Sequence, residues 1–223
     1  MYQYDAVLFD MDGTLLNTLD DLTAAVNHTL RQYQYPTHTA DEVREAVGNG
    51  VRRLIERLLP GGAADPHMEA ALASFKHYYT EHCDVQTRPY AGVLEAVTAL
   101  HEAGLKLAIV SNKNDEAVRA LARTYFGTLV DVAIGGQEGV PRKPAPQMPH
   151  AALSALGAEP ERTLFVGDSD VDMETAQNAG LDCMLVSWGF RDAAALAALK
   201  PRFLVADPAE MPALILQPVE GEN

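Results

Sequence analysis

Cysteine is almost missing from this chain: Cys83 and Cys183 are the only two in 223 residues. That excludes a disulfide-dense secreted scaffold, and no Cys/His spacing suggests zinc. One disulfide is possible, but a reduced pair in a cytoplasmic protein is the expected state. His77 and His82 stand five apart, so they do not share a helix face as an i, i+4 ligand pair would. All seven histidines are expected at the surface or as satisfied core groups. Positive charge is scarce too. Seventeen Lys and Arg face 31 Asp and Glu, for a net charge of −14 with no basic run to offset it. Nucleic acid and anionic membrane surfaces are therefore not expected partners. A site for an anionic substrate would have to rely on local cations and backbone N–H groups. No apolar run approaches the roughly 18 residues of a membrane span. The start, Met1-Tyr2-Gln3-Tyr4-Asp5, lacks the basic residues of a secretory signal, and Ala6-Val7-Leu8-Phe9 is too short for its apolar segment.

Apolar residues make up 48% of the chain, enough for a substantial core. Asp5 to Asp10 reads as a buried strand, because its apolar run is continuous rather than alternating. The pattern returns at Leu105 to Val110, Val130 to Ile134, Thr163 to Val166, Cys183 to Val186 and Phe203 to Ala206. Helical stretches separate these later runs. Val93 to Ala103 stops at Gly104, and Asp170 to Ala179 stops at Gly180, as helices commonly do. Alternating strands and helices predict an α/β fold with a doubly wound parallel sheet, a Rossmann-like core. Ligands of such sheets lie beyond the carboxyl ends of the strands. Asp10, Ser111 and Asp168 are all expected there.

Residues 16–88 differ, with no strand-like run. Leu19, Leu22, Val26 and Leu30 recur at helical spacing, and Thr39 with Glu42 resembles a capping box opening a helix from Ala40 to Val47. Gly48-Asn49-Gly50 breaks the chain, Val51 to Leu59 resumes a helix, and Asp65 to Cys83 is a further amphipathic candidate. The expectation is an all-helical insert at 16–88 within a core of 1–15 and 89–223, with Thr87-Arg88-Pro89-Tyr90 as the return linker. The tail Val219-Glu220-Gly221-Glu222-Asn223 is expected to fray.

The residues that carry chemistry fall into four groups. In Asp10-Met11-Asp12-Gly13-Thr14, a carboxylate at a strand end can attack phosphorus, and a second two positions on can move protons to the leaving oxygen and from water. Gly13 permits the tight turn between strand and loop. Ser111 and Asn112 offer a hydroxyl and an amide to phosphoryl oxygens, although either can instead cap the helix that follows. Lys143, followed by Pro144 on a stiff loop, can offset the charge crowding between a phosphate and the aspartates. Arg142 beside it is read as a solvated surface group. Asp168, Asp170 and Asp172 crowd a helix start. Acids are favoured there for dipole reasons, but that explains less well an acid at the strand end itself. Asp10, the main-chain carbonyl of Asp12, and Asp168 could together supply the protein ligands of a magnesium ion.

In this order and over essentially the whole chain, these groups resemble the four motifs of the haloacid dehalogenase superfamily of phosphatases. The resemblance implies Asp10 as nucleophile, Asp12 as acid/base, and Ser111 and Lys143 as phosphate-binding residues of the second and third motifs. It implies Asp168 as a ligand of Mg²⁺, and Asp172 as an acid supporting the lysine or the metal shell, so that the expected metal set is Asp10, Asp12, Asp168 and Asp172. The extra acid Asp170 leaves that shell open beyond Asp168. The helical insert looks like the family's mobile cap. Val47 to Val51, Arg88-Pro89-Tyr90, Ser111-Asn112-Lys113 and Ser187-Trp188-Gly189-Phe190 are most similar to phosphoglycolate phosphatases. Thr14, Asn112, Asn49, Gly50 and Arg53 (or Arg52) would then bind substrate. Trp188 is read as a packing residue.

The function expected from all this is magnesium-dependent hydrolysis of a small phosphate monoester, 2-phosphoglycolate above others, through an aspartyl-phosphate, by a cytoplasmic monomer or homodimer. Two alternatives stand beside it. One is a sugar-phosphate mutase of the same superfamily. The other is a phospho-accepting signalling module, whose acceptor would normally lie on a middle strand of a shorter chain. A catalytically dead binding protein is disfavoured by the complete set of acids.

Overall fold

The computed structural model describes residues 2–48 and 50–218. Asn49 and the tail Val219 to Asn223 lie outside the described residues. In chain order the elements are β1 (Ala6–Phe9), β2 (Leu16–Asn17), α1 (Leu19–Gln32), α2 (Ala40–Ala46), α3 (Val51–Leu58), α4 (Met68–His82), β3 (Arg88–Pro89) and α5 (Val93–Glu102). There follow β4 (Lys106–Asn114), α6 (Asp115–Phe126), β5 (Val132–Gly136), α7 (Gln147–Leu156), β6 (Thr163–Gly167), α8 (Asp170–Ala179), β7 (Asp182–Val186), α9 (Ala193–Ala198), β8 (Phe203–Val205) and α10 (Glu210–Ile215). The chain divides into two compact units, one of Met1–Leu15 with Pro89–Asn223 and one of Leu16–Arg88.

The larger unit is built on a six-stranded parallel sheet of order β5-β4-β1-β6-β7-β8. Counted within the sheet, that is the doubly wound order 3-2-1-4-5-6. Every residue of β1 is buried, which is why its apolar run is unbroken. Successive side chains still point to opposite faces. Ala6 and Leu8 join Phe165, Ala108, Met148 and Ala176 in the cluster lined by α7 and α8. After β1 the chain runs to β4 and β5 on one side, then crosses to β6 on the other. The reversal leaves a crevice at the carboxyl ends of β1 and β6, where ligands of such sheets bind.

Two strands differ from the sequence expectation. The second core strand continues past Val110 through Ser111 to Asn114, with an irregular register against β5 between Val110 and Asn114. The third begins two residues later than expected and ends at Gly136. Polar residues at the site end of a strand read as loop, because sequence patterning responds to core burial and not to backbone pairing.

The unit Leu16–Arg88 has its own core, in which Leu22, Val26 and Leu30 of α1 join Leu54 and Ile55 of α3 and Leu72 and Phe75 of α4. Its α2 starts with the expected capping box: Thr39 accepts from the N–H of Glu42, and the Glu42 carboxylate accepts from the N–H of Thr39. The structure also contains what the sequence had not suggested, a two-residue strand, β2, paired with β3 in a small second sheet. Asp21, 2% exposed, accepts from the N–H groups of Val85, Gln86 and Thr87 and from the Thr87 hydroxyl, tying α1 to the segment that closes the unit. Neither Cys83 nor Cys183 is in a disulfide. No helix among the described residues is long and apolar enough to cross a membrane.

Candidate active site

The backbone ladder itself brings the first two acids together. Asp10 directly follows β1, and its N–H donates to the carbonyl of Val166 at 2.8 Å, so the β1–β6 pairing runs on to the acid. Asp168 directly follows β6. Two neighbouring parallel strands thus end in carboxylates at the same edge of the sheet. Lys143 reaches them from the loop before α7. Its Nζ lies 2.8 Å from Asp10 Oδ1 and 2.8 Å from Asp172 Oδ1. Asp172 stands in the first turn of α8, where its Oδ2 accepts from the Ser169 hydroxyl at 2.6 Å and from the N–H of Asp168 at 3.2 Å. Ser169 in turn caps the helix by accepting from the N–H of Asp172.

Two glycines let the loops close on Asp168. Gly13 has φ +87°, and a Cβ there would come within 2.3 Å of Asp168 Oδ2. A Cβ on Gly189 would come within 2.4 Å of Asp168 Cβ and of the Gly13 carbonyl. The backbone therefore packs directly on the carboxylate from both sides. The N–H of Phe190 donates to Asp168 Oδ2 at 2.7 Å, and the Trp188 indole N–H donates to the Thr14 carbonyl at 3.0 Å. Trp188, read from sequence as a packing residue, is half-buried and hydrogen-bonds the loop that follows Asp10 and Asp12.

Ser111 is buried at the site end of β4, where its hydroxyl oxygen accepts from the N–H of Lys113 at 3.3 Å. Thr14 is buried, and its hydroxyl has no hydrogen-bond partner among the described residues. Asn112 clamps the main chain of Lys143, donating to its carbonyl at 3.0 Å and accepting from its N–H at 2.8 Å. Arg142 is exposed, as read, and donates to the Asn112 carbonyl. Gly50 and Arg53 belong to the helical unit. Gly50 precedes α3 with φ +84°, and Arg53 pairs with Glu56 at 2.7 Å, while Arg52 makes a two-pronged pair with Glu69. Asp170 is on the outside of the larger unit, 3.4 Å from Arg191.

Two residues near these acids belong to segments that carry the resemblance but have no role in the sequence reading. Lys113 places Nζ 2.7 Å from Asp12 Oδ1, with the lysine side chain 5% and the aspartate side chain 19% exposed. The usable signal was its position two beyond Ser111 on a strand that outlasts its apolar run. Tyr90 is the other. Burial first, and then the carboxylates of Asp168 and Asp12, push its hydroxyl above the usual tyrosine range.

Comparison with known proteins decides the family. The family model for haloacid dehalogenase-like hydrolases matches residues 7–186. The chain belongs to that family. It is 33% identical over 206 residues to a phosphoglycolate phosphatase of Aquifex aeolicus, covering 92% of this chain and 93% of that one. It is also 33% identical over 186 residues to an N-acetylmuramic acid 6-phosphate phosphatase of Pseudomonas aeruginosa, covering 83% and 82%. A solved structure of a candidate phosphoglycolate phosphatase from Lactobacillus delbrueckii subsp. bulgaricus superposes with a TM-score of 0.91 at 32% identity, covering 98% of this chain and 100% of that one. Like other haloacid dehalogenase-like hydrolases acting on phosphate esters, this one hydrolyses a small phosphate ester through an aspartate of the cluster formed by Asp10, Asp168 and Asp172.

The electrostatics of this hydrolase site call for a cation. Carboxylate oxygens of Asp10, Asp168 and Asp172 all lie within 4.8 Å of one another, and all three residues are buried. Burial, the Asp172 and Asp12 charges following, pushes the Asp10 carboxyl up to about 7 despite the lysine beside it. Burial likewise raises Asp168 well above the carboxylate range, with Asp172 and Asp10 adding to it. Burial works against the charge on Lys143 as well, but the carboxylates of Asp10 and Asp172 outweigh it and hold the ammonium above the usual lysine range. With Asp12 counted, four acids stand with two buried lysines, so ionising all four, as binding a cation would require of Asp10 and Asp168, leaves two negative charges for that cation to meet. Asp172 has protein donors on both oxygens. Asp10 and Asp168 each keep an oxygen with no protein donor among the described residues. An all-oxygen set two charges in excess fits a hard divalent cation.

Proposed function

We propose that this hydrolase is a magnesium-dependent phosphomonoesterase that converts 2-phosphoglycolate to glycolate and phosphate. One observation carries the reading: Lys143 bridges Asp10 and Asp172 at 2.8 Å each, within a buried carboxylate cluster at a strand edge. Asp10 attacks phosphorus, forming the aspartyl-phosphate, and Asp12 gives a proton to the departing oxygen. Asp12 then takes a proton from the water that cleaves the intermediate. Ser111 and Thr14 donate to phosphoryl oxygens, and the Lys143 ammonium meets the negative charge that gathers there. Asn112 serves by holding the Lys143 backbone, and Asp172 by holding its side chain. Mg²⁺ would be held by the carboxylates of Asp10 and Asp168 and the main-chain carbonyl of Asp12, and when bound it supplies charge neutralisation for the phosphoryl group.

In the same reading Leu16–Arg88 is the cap and the larger unit the catalytic core, with Asn49, Gly50 and Arg53 choosing the substrate's non-phosphate end. A small carboxylate such as that of phosphoglycolate suits an arginine. Two cysteines outside any disulfide suit a reducing cytoplasm, and the chain works as a monomer or homodimer. The test is release of inorganic phosphate from a panel of phosphoglycolate, N-acetylmuramic acid 6-phosphate, pyrophosphate and hexose phosphates, with and without Mg²⁺. Phosphoglycolate is expected to have the highest kcat/KM. A higher value for a sugar phosphate would remove the substrate assignment, and hexose phosphate isomerised without phosphate release would remove the phosphatase.

A further inference from the structure

Lys113 is a buried lysine that none of the roles above uses. Taking an ammonium out of water costs several kcal/mol unless a counter-charge compensates it. Asp12 supplies a counter-charge at 2.7 Å, with the lysine side chain 5% exposed. Of the two buried lysines, Lys143 engages the acids at the strand ends, Asp10 and Asp172, and Lys113 engages the acid of the following turn. Lys113 is also tied to the phosphate-binding segment, since its N–H donates to Ser111 Oγ at 3.3 Å. Lys113 is itself a residue of β4, so its backbone is held by the strand that carries Ser111.

We infer that Lys113 is the positioning residue of Asp12, fixing one carboxylate oxygen so that the other meets the water that hydrolyses the aspartyl-phosphate. The inference rests on the role given to Asp12 above. The step is ordinary hydrolysis. The water oxygen bonds to phosphorus, the bond from phosphorus to the Asp10 oxygen breaks and returns its electron pair to that carboxylate, and a water proton passes to Asp12. Lys113 exchanges no proton and touches no reacting atom. Its contribution is orientation, and a misplacement of about 1 Å at a reacting group costs on the order of 10²-fold in rate.

The test uses p-nitrophenyl phosphate, whose leaving group needs no proton, so that Asp12 is required only in the second half-reaction. For Lys113→Met, kcat is expected to fall about 10²-fold while kcat/KM stays within a few-fold of wild type. Acid-quenched enzyme should then carry phosphate on most of its molecules during turnover. Lys113→Arg, which keeps a cation in place, should recover part of kcat. Asp12→Asn should show the same split, and adding Lys113→Met to it should change nothing further. A merely structural role would lower kcat and kcat/KM together with no accumulated phosphoenzyme, and that result overturns the inference, as does an unchanged kcat. Full activity of Asp12→Asn is a different outcome: it removes the role of Asp12 itself, and with it the ground for assigning one to Lys113.

Discussion

Each of the two units buries a carboxylate, and they do so in opposite ways. In the helical unit Asp21 is surrounded by three backbone N–H groups and a hydroxyl, all between 2.9 and 3.1 Å. Its charge is satisfied by neutral donors, and the result is a latch. In the α/β unit Asp10 and Asp168 are also buried but have few donors, and they stand beside further acids. Their charge is left to lysines and to a cation. A buried acid saturated with hydrogen bonds is structural. One left short of them, among like charges, is held ready for something that arrives from outside.

Substitutions should separate the two kinds of acid. The largest effect is expected for Asp10→Asn, which keeps the shape but removes the proposed nucleophile. Phosphate release should fall by more than about 10⁴-fold, with an unchanged circular dichroism spectrum. Retained turnover would place Asp10 in the structural class. Lys143→Met should follow, lowering kcat by roughly 10²–10³-fold. It also leaves Asp10 and Asp172 without their cation, so urea unfolding should show a loss of stability or a newly raised need for metal. Asp21→Ala should do the reverse. It should cost roughly 1.5–3 kcal/mol in unfolding experiments, the range for hydrogen bonds to a charged group, and leave the rate of aspartyl-phosphate formation within a few-fold of wild type. Equal losses for Asp21→Ala and Lys143→Met in both assays would dissolve the distinction.

The smallest effect concerns pH. Asp10 is pushed from its ordinary value near 3.8 up to about 7, so between those values the folded protein holds a proton that the unfolded chain has released. The stability this confers is complete below the unfolded value and is lost as pH rises through about 7. A bound cation favours the carboxylate and offsets the loss. The Tm of cation-free protein should therefore decline from about pH 5 to about pH 8, and Mg²⁺ should raise Tm more at the higher pH. An equal gain at both would contradict the raised Asp10.

The contrast also explains what could be read in advance. Asp10 and Asp168 were legible because each ends an unbroken apolar run, and the parallel order of such runs puts their ends together. The Thr39 capping box was legible because both partners lie within one turn. Lys113 was hidden because Ser111 to Asn114 look like a loop, although β4 runs through them. The Asn112 clamp on the Lys143 main chain spans 31 positions, and no local sequence pattern reports a contact of that length. The same holds for Asp21. An acid in the first turn of a helix is ordinary, and its grip on Val85 to Thr87 exists only once the helices of its unit have packed. Sequence pattern carried what depends on period and strand ends, and missed what depends on which distant backbone a side chain meets.

The most direct test of the account is to locate the phosphoryl group. Enzyme mixed with ³²P-labelled substrate and Mg²⁺, quenched in acid and digested, should carry the label on the peptide containing Asp10, and Asp10→Asn should carry none. Label on another residue, or undiminished turnover with no labelled enzyme and no need for a divalent cation, would contradict it.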